Sequence, residues 1–519
     1  MKRRKFITIA GTGGSLVLPS LLFPGYTGKP DKTPGCTGAG NIMSSAVADG
    51  QGYLFLDDHW LAAQSGVSRR FHTAVKETGN PVITRQTDEK GIGPYVFLWA
   101  EKQSPFTAWL TTFVGESNEY PLVFVTSADG INWNSKRQPT DVFTVRDGNQ
   151  QCAVYLYDDS GRYGDYRYLC AAGFRHTPDI KRYHWRFGRS RDGMHWEPFP
   201  ENPVWMGPSD VLSLMWDRLK KKYVAYYKVW RYAGTTLDGK PFVTYGDFDM
   251  EIKGHVCHLF GHAVFPKREE VDVKLEYGGD TSDDGGGGRS DARLRTTREV
   301  AYAESDDFLH WENEQVVVDT PLDAPLGDQG YGMNVCCYDN MYIGLYNHFN
   351  SVTGLMQPKV VWSYDGIHFQ MNKDDFFLTT GQSGEWDVGM IIPSCPVAAN
   401  DGRIYLYYGS QGVDHTVVDM NKLHGAIGRA WLRQDGFASL KGGWVETVPL
   451  RVQSKKMEIN MTGVIGVSLK TPSGELIGET VLRGDHYRLV PDIDLSACLN
   501  REVVVRLDLS NGELFSIRL

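Results

Sequence analysis

Apolar residues fall in short runs, parted by Asp, Gly and Asn turns and rich in aromatic and β-branched side chains. That spacing predicts strands, not helices. The runs come in pairs: Cys152–Tyr157 then Tyr166–Cys170, Val211–Trp216 then Tyr223–Val229, Met333–Tyr338 then Met341–Tyr346, and Met390–Ala398 then Arg403–Tyr408. Tyr95–Trp99 opens the series and is its least regular member. Within a pair, hairpins such as Tyr338–Asn340 and Asn400–Gly402 join an inner strand to a second one.

A short motif follows each pair. Ser127-Ala-Asp-Gly-Ile-Asn-Trp133, Ser190-Arg-Asp-Gly-Met-His-Trp196, Ser305-Asp-Asp-Phe-Leu-His-Trp311 and Ser363-Tyr-Asp-Gly-Ile-His-Phe369 share one plan, and Arg433-Gln-Asp-Gly-Phe437 is a weaker fifth copy. Asp-Gly makes a tight turn, because Gly accepts positive φ and Asp bonds nearby backbone. Each closing aromatic folds back on the sheet, so Trp133, Trp196 and Trp311 read as structural. Successive copies begin 63, 115, 58 and 70 residues apart. Units of about sixty residues with several strands each predict propeller blades. The long gap is one unit plus an insertion, about 232–297. Its polar glycine loop Asp280–Arg289 cannot build a core, so the insertion belongs on the rim of blade three.

After Leu440 the rhythm changes to short alternating strands, including Met457–Met461, Val464–Lys470, Val503–Leu509 and Leu514–Leu519. They predict a small antiparallel β-sandwich. The expected fold is therefore all-β: a five-bladed β-propeller over 46–440, then a β-sandwich over 441–519. Of the 519 residues, 41% are hydrophobic and 12% aromatic, which supplies a core and excludes a disordered chain. The net charge of −9 argues against a backbone-reading nucleic-acid binder.

These turns, the Leu54-Phe55-Leu56-Asp57-Asp58 segment and the junction from Arg433 to Leu440 resemble the five-bladed propeller glycosidases. The nearest groups are glycoside hydrolase family 32 (invertase- and fructanase-like, with secreted bacterial family-32-like proteins) and the arabinanase-like family 43. The resemblance covers about residues 50–519 and implies hydrolysis of O-glycosyl bonds. The invertase opening Asn-Asp-Pro-Asn-Gly is absent, as is the Glu-Cys pair of its acid. Its Arg-Asp-Pro becomes Arg146-Asp147-Gly148. Fructose specificity is therefore not implied.

Glycoside cleavage needs a proton donor and a second carboxylate, acting as nucleophile or as base for water. Residues just before the inner strands of a propeller line one mouth of its funnel. The carboxylates expected there are Glu89, Asp147, Asp210, Asp328, Glu385 and Asp387. Asp210 is the first choice for general acid or its partner, with one acid of the group expected to carry a raised pKa. Asp147, Glu89 and Asp387 complete the catalytic set. Trp205, Tyr331 and Trp386 are candidates for stacking on sugar. Glu385, Asp328, Asn334 and His348 are candidates for hydrogen-bonding to it. Asp57 and Asp58 are conspicuous but read as shaping the start of blade one. Two other readings stay open: a polysaccharide lyase using a Tyr/His pair, and a non-catalytic glycan-binding propeller.

The leader Met1-Lys-Arg-Arg-Lys-Phe-Ile7, followed by an apolar run to Phe23, resembles a twin-arginine export signal. Residues 1–45 are thus expected to be a signal peptide and linker, and the mature protein periplasmic or extracellular. No later stretch reaches the roughly 18 apolar residues that span a bilayer, so no membrane partner is expected. The eight cysteines are irregularly spaced without Cys-x-x-Cys, and those in strand-like runs read as small hydrophobes. Neither a metal nor a cofactor is expected, and the expected partner is a carbohydrate.

Overall fold

The structure is a computed structural model. It describes residues 52–86, 89–99, 106–114, 122–134, 138–139, 150–174, 183–246, 250–253, 256–259, 271–274, 294–321, 324–325, 327–398, 401–415, 417 and 424–519. The leader, Asp147 and the glycine loop Asp280–Arg289 lie outside these residues.

Five antiparallel sheets follow one another along the chain. Sheet one comprises Glu89–Trp99, Phe106–Val114, Leu122–Ser127 and Gln138–Pro139. Sheet two comprises Gln150–Tyr157, Tyr168–Phe174, His184–Ser190 and Trp196–Pro198. Sheet three runs Leu212–Asp217, Lys222–Thr235, Leu294–Ser305 and Glu312–Val318, and sheet four Asp328–Tyr338, Met341–Asn350, Met356–Ser363 and Gln370–Met371. Sheet five holds Ile392–Pro393, Val397–Ala398, Arg403–Ser410 and Ala426–Arg433. Its outermost strand is Val75–Lys76 from the other end of the chain, paired as Ala430 with Lys76 and Trp431 with Val75.

Apolar clusters close these sheets into a ring. Trp109 packs with Tyr155, Cys170 and Trp196 between sheets one and two. Trp185 and Phe187 pack with Tyr223 and Tyr227 between two and three. Tyr226 and Tyr302 pack with Met333 and Tyr342 between three and four, and Ile343 and Leu345 with Leu406 and Tyr408 between four and five. Ile92 and Leu110 meet Tyr407 and Ile427 between five and one, which completes the propeller.

The repeat turns explain part of this closure. In three copies the Ser hydroxyl accepts the backbone N–H of Gly130, Gly193 or Gly366 at 2.9 Å. The Asp accepts the next two backbone N–H groups, as Asp365 does from Ile367 and His368 at 2.8 Å. It also binds a side chain three residues on: Asn132, His195, His310 or His368. In the third copy Phe308 takes the glycine's place at φ 64°. Each turn then accepts a hydrogen bond from the sheet before it. Tyr407 of sheet five donates to Gly130 O at 2.6 Å, Trp109 of sheet one to Gly193 O at 2.8 Å, and Tyr226 of sheet three to Gly366 O at 2.8 Å. Tyr163, in the hairpin of sheet two, donates to Asp307 O.

The insertion grows out of sheet three. Its second and third strands run 14 and 12 residues, paired as far as Gly234 with Leu294, and Pro241–Gly246 adds along the end of the former. Met250–Lys253, Val256–Leu259 and Val271–Lys274 form a separate three-stranded sheet. The insertion is thus partly a strand extension and not only loop.

The C-terminal region is one curled nine-stranded sheet around its own core of Val445, Ile459, Ile465, Leu482, Val505 and Ile517. Two expected strand pairs are each fused here: Glu458–Lys470 and the 17-residue Glu502–Arg518 are continuous. They cross at Gly463 opposite Gly512, where a Cβ on Gly463 would stand 2.5 Å from Asn511 O, so only glycine lets both chains pass unbroken. Gly52–Leu54, Leu61–Ser65 and Ser68–Phe71 also pair into this sheet, although the sequence reading had placed them in the propeller. Position along the chain alone does not tell a strand which sheet it joins. Asp57 ties that N-terminal segment to sheet four: its carboxylate accepts Trp362 Nε1 and Tyr364 Oη at 2.7 Å and Gln370 Nε2 at 2.8 Å. No helix among the described residues is long and apolar enough to cross a membrane.

Candidate active site

Asp210 immediately precedes the first strand of sheet three. Ser209 N–H donates to Lys228 O at 3.1 Å and Lys228 N–H to Val211 O at 3.0 Å, so these backbone bonds set Asp210 against Lys228. Trp185 Nε1 donates to Ser209 O at 3.0 Å and holds the loop down. Lys228 Nζ forms a close ion pair with Asp210 Oδ1, and Ser209 Oγ donates to the same oxygen at 2.8 Å. The lysine side chain is 1% exposed and that of the aspartate 37%, so the cation is sealed while the aspartate side chain keeps contact with solvent.

Sheets four and five complete the floor. Val211 packs with Tyr331, Phe349, Met356, Met390 and Ile392. Tyr331 lies at a bulge in the first strand of sheet four, and neighbouring Gly332 has φ 151°. A Cβ on Gly332 would stand 2.6 Å from Val211 Cγ1, so glycine lets sheets three and four approach here. Tyr331 Oη and His415 Nε2 are 2.7 Å apart. Lys228 Nζ is 4.4 Å from the Tyr331 ring centroid, and the Arg298 guanidinium 5.4 Å from it. Arg298 is buried, donates to Gln329 Oε1 at 2.7 Å, and lies over Trp230 at 4.4 Å and Phe349 at 4.8 Å.

These contacts set the protonation states. Burial works to raise the Asp210 pKa, but Lys228 and the hydrogen bonds outweigh it and hold the value down at about 2. Of the two roles expected for Asp210, general acid or its partner, the lowered pKa fits the partner, because an ion-paired carboxylate is a base or a nucleophile. His415 is driven down to about 4, first by burial and then by Arg298 and Lys228, so it is neutral near pH 7. Burial and the Asp210 charge raise the Tyr331 pKa, so its phenol keeps its proton.

The other expected residues scatter. Asp387 is buried and accepts Lys76 Nζ at 2.6 Å and Tyr408 Oη at 3.1 Å, which ties it to the outermost strand of sheet five. Glu385 is exposed and accepts the Gln382 N–H at 2.5 Å, while Trp386 stacks on Tyr408 at 5.5 Å. Glu89 is buried at the start of sheet one and accepts the Gln86 N–H at 2.8 Å. Trp205 bridges to Trp185 of sheet two and packs on sheet three, stacked on Trp311 at 4.7 Å with its Nε1 on Glu314, so its ring is taken up in packing between the two sheets. Asn334 donates to Pro393 O at 2.6 Å and ties sheet four to sheet five. Asp328 accepts Asn350 Nδ2 at 2.9 Å and lies 3.4 Å from His348 Nε2. The structure thus brings Asp210 and Tyr331 together and gives Asp387, Trp205 and Asn334 other partners.

Sequence reasoning missed Lys228, Arg298 and His415. Lys228 had a signal: it is the one charge within the aromatic run Tyr226-Tyr-Lys-Val-Trp230. His415 had none, since its loop reaches the site only once sheet five is folded. Among the described residues no group of three or more His, Cys, Asp or Glu could hold a metal.

No family model matches the chain, and no curated protein does. Solved structures similar to it include a glycoside hydrolase (12% identity over 70% of this chain and 92% of that one, TM-score 0.43). An N-acetylgalactosamine deacetylase from F. plautii, in complex with blood group B trisaccharide, matches at 12% identity over 72% and 96% with TM-score 0.42. A family-32 β-fructofuranosidase from Bombyx mori matches at 11% over 86% and 93% with TM-score 0.35.

Proposed function

We propose that this chain is a glycoside hydrolase that cleaves a glycan at the mouth formed by sheets three, four and five. The observation that carries the reading is the ion pair of Asp210, whose side chain is 37% exposed, with the buried Lys228 that holds it ionised. An ionised carboxylate in contact with solvent serves as nucleophile or as base for water. Glu89 and Asp147 are the carboxylates on which a paired mechanism would draw. The basic and apolar leader supports action outside the cytoplasm, after twin-arginine export.

A second reading has one observation in its favour. The Tyr331–His415 bond of 2.7 Å is the kind of pair an eliminative lyase uses, with cations nearby to neutralise a uronate. The test is a screen of purified protein on defined oligosaccharides with mass analysis of the products. Products that have gained water support hydrolysis. An unsaturated end group identifies a lyase. Saturable binding without any product identifies a glycan-binding propeller and refutes the hydrolase.

A further inference from the structure

We infer that Tyr331 is a catalytic residue of this site, donating the proton to the departing glycosidic oxygen, and that His415 is its positioning residue. The inference rests on the hydrolase reading and adds the group which that reading leaves open. Asp210, locked to Lys228, has no proton to give. Tyr331 shares the apolar floor with Val211, the residue after Asp210, and its ring lies against the same lysine at 4.4 Å. The Ser209 hydroxyl is committed to Asp210 Oδ1 at 2.8 Å, and Tyr331 supplies a second O–H group beside the same ion pair.

Three features suit a phenol to the task. Neutral His415 lies 2.7 Å from the phenol oxygen, and in the tautomer that carries its proton on Nε2 it donates to that oxygen, which leaves the phenol O–H for the substrate and steadies the oxygen when the proton leaves. Lys228 and Arg298 lie at 4.4 and 5.4 Å from the ring and offset the phenolate charge. Phe349 and His415, each within 5.5 Å of the ring, fix its plane. In the reaction the glycosidic C–O bond breaks as the phenol proton moves to the departing oxygen. Asp210 takes a proton from the water that adds to the anomeric carbon. The proton on Asp210 then returns to the phenolate, and the starting state is restored.

The test compares leaving groups on the sugar found in the screen. A dinitrophenyl leaving group departs without a proton, whereas a sugar or methyl leaving group needs one. Tyr331→Phe should lose about 10²–10⁴-fold in kcat/KM on the sugar-leaving substrate, the usual range for a general acid, and under about tenfold on the dinitrophenyl glycoside. His415→Gln keeps the tyrosine packing and should show the same selectivity at smaller size. Equal losses on both substrates, or no loss, would overturn the assignment. So would the selective pattern appearing in Glu89→Gln or Asp147→Asn instead. Full turnover by Asp210→Asn on both substrates would remove Asp210 from the reaction and with it the site on which the hydrolase reading rests, a failure distinct from that of the tyrosine.

Discussion

Asp210 and Asp435 each meet a buried cation, and they serve opposite ends. Asp210 pairs with Lys228 beside the first strand of sheet three and keeps 37% of its side chain exposed. Asp435 pairs with Arg518, and both side chains are sealed, at 0% and 3% exposure. Arg518 reaches Asp435 at 2.6 Å and Asp339 at 2.7 Å, while Tyr338 and Ser516 donate to Asp435. This second cluster links sheet four, the fifth repeat turn and the last strand of the C-terminal sheet. A sealed cluster can only hold elements together. An open one can act on something that arrives.

The comparison breaks first at the mouth. Asp210→Asn keeps the shape but removes the charge, and turnover should fall by about 10³-fold or more, equivalent to roughly 4 kcal/mol or more of barrier. The melting temperature should fall as well, because the sealed Lys228 loses its counter-ion, so turnover is compared on protein that is still folded. Unaltered turnover on a verified substrate would show that the open pair is only structural, like the sealed one.

At the joint the effect moves from activity to stability. Arg518→Met leaves two buried carboxylates without their cation, and such a break costs about 3–5 kcal/mol. Urea unfolding should report a loss of that order. A loss below about 1 kcal/mol would mean that water reaches the cluster.

Acidity distinguishes the two carboxylates of the joint. Burial and the neighbouring Asp435 charge outweigh Arg518 at Asp339, and its pKa rises to about 6. At Asp435 burial opposes but Arg518 prevails, and the value falls to about 2. A raised carboxyl pKa means that the folded state holds the proton more tightly than the unfolded state does. Stability from Asp339 is therefore lost as the pH rises from about 4 to about 6. A lowered pKa acts the other way, so stability from Asp435 is lost as the pH falls from about 4 towards 2. Asp339→Asn should flatten the alkaline arm of this profile and leave the acid arm in place. Parallel profiles for variant and wild type between pH 4 and 6 would contradict the shared-cation account.

Much of the propeller was legible in the sequence because its blades repeat. Ser363-Tyr-Asp-Gly and its three relatives announce one local geometry, and local hydrogen bonds need no distant partner. The rest depended on what the chain meets after folding. Asp435 carries the repeat's aspartate, yet Arg518 and Ser516, more than eighty residues on, decide its role. Nothing in the short strands at 52–71 marks the sheet they join, and only their pairing assigns them to the C-terminal sheet. The site divides likewise. Asp210 was found because it abuts a clean inner strand. His415 comes from a loop of another sheet, and no spacing links it to Tyr331.

The smallest expected effect returns to the repeat itself and sharpens the contrast between open and sealed aspartates. Asp365 occupies in its turn the place that Asp435 occupies in the fifth, but it faces solvent. Its Oδ1 accepts the Ile367 and His368 N–H groups at 2.8 Å, and its Oδ2 meets His368 Nδ1 at 2.6 Å. Ser363 Oγ, bonded to the carboxylate at 2.9 Å, also holds the Gly366 N–H at 2.9 Å. Replacing Asp365 by Ala frees two N–H groups, but water can reach this exposed turn and satisfy them. The cost should be about 1 kcal/mol, as for lost helix caps. Asp365→Asn keeps an acceptor for both N–H groups and loses only the charge on exposed His368, so it should cost less than Ala, within about 0.5 kcal/mol of wild type. Asp435→Asn removes the charge that neutralises a sealed arginine and should cost several-fold more. Equal losses for Asp365→Asn and Asp435→Asn in urea unfolding would mean that the fifth turn is only another copy, and that the ion cluster adds nothing to the joint.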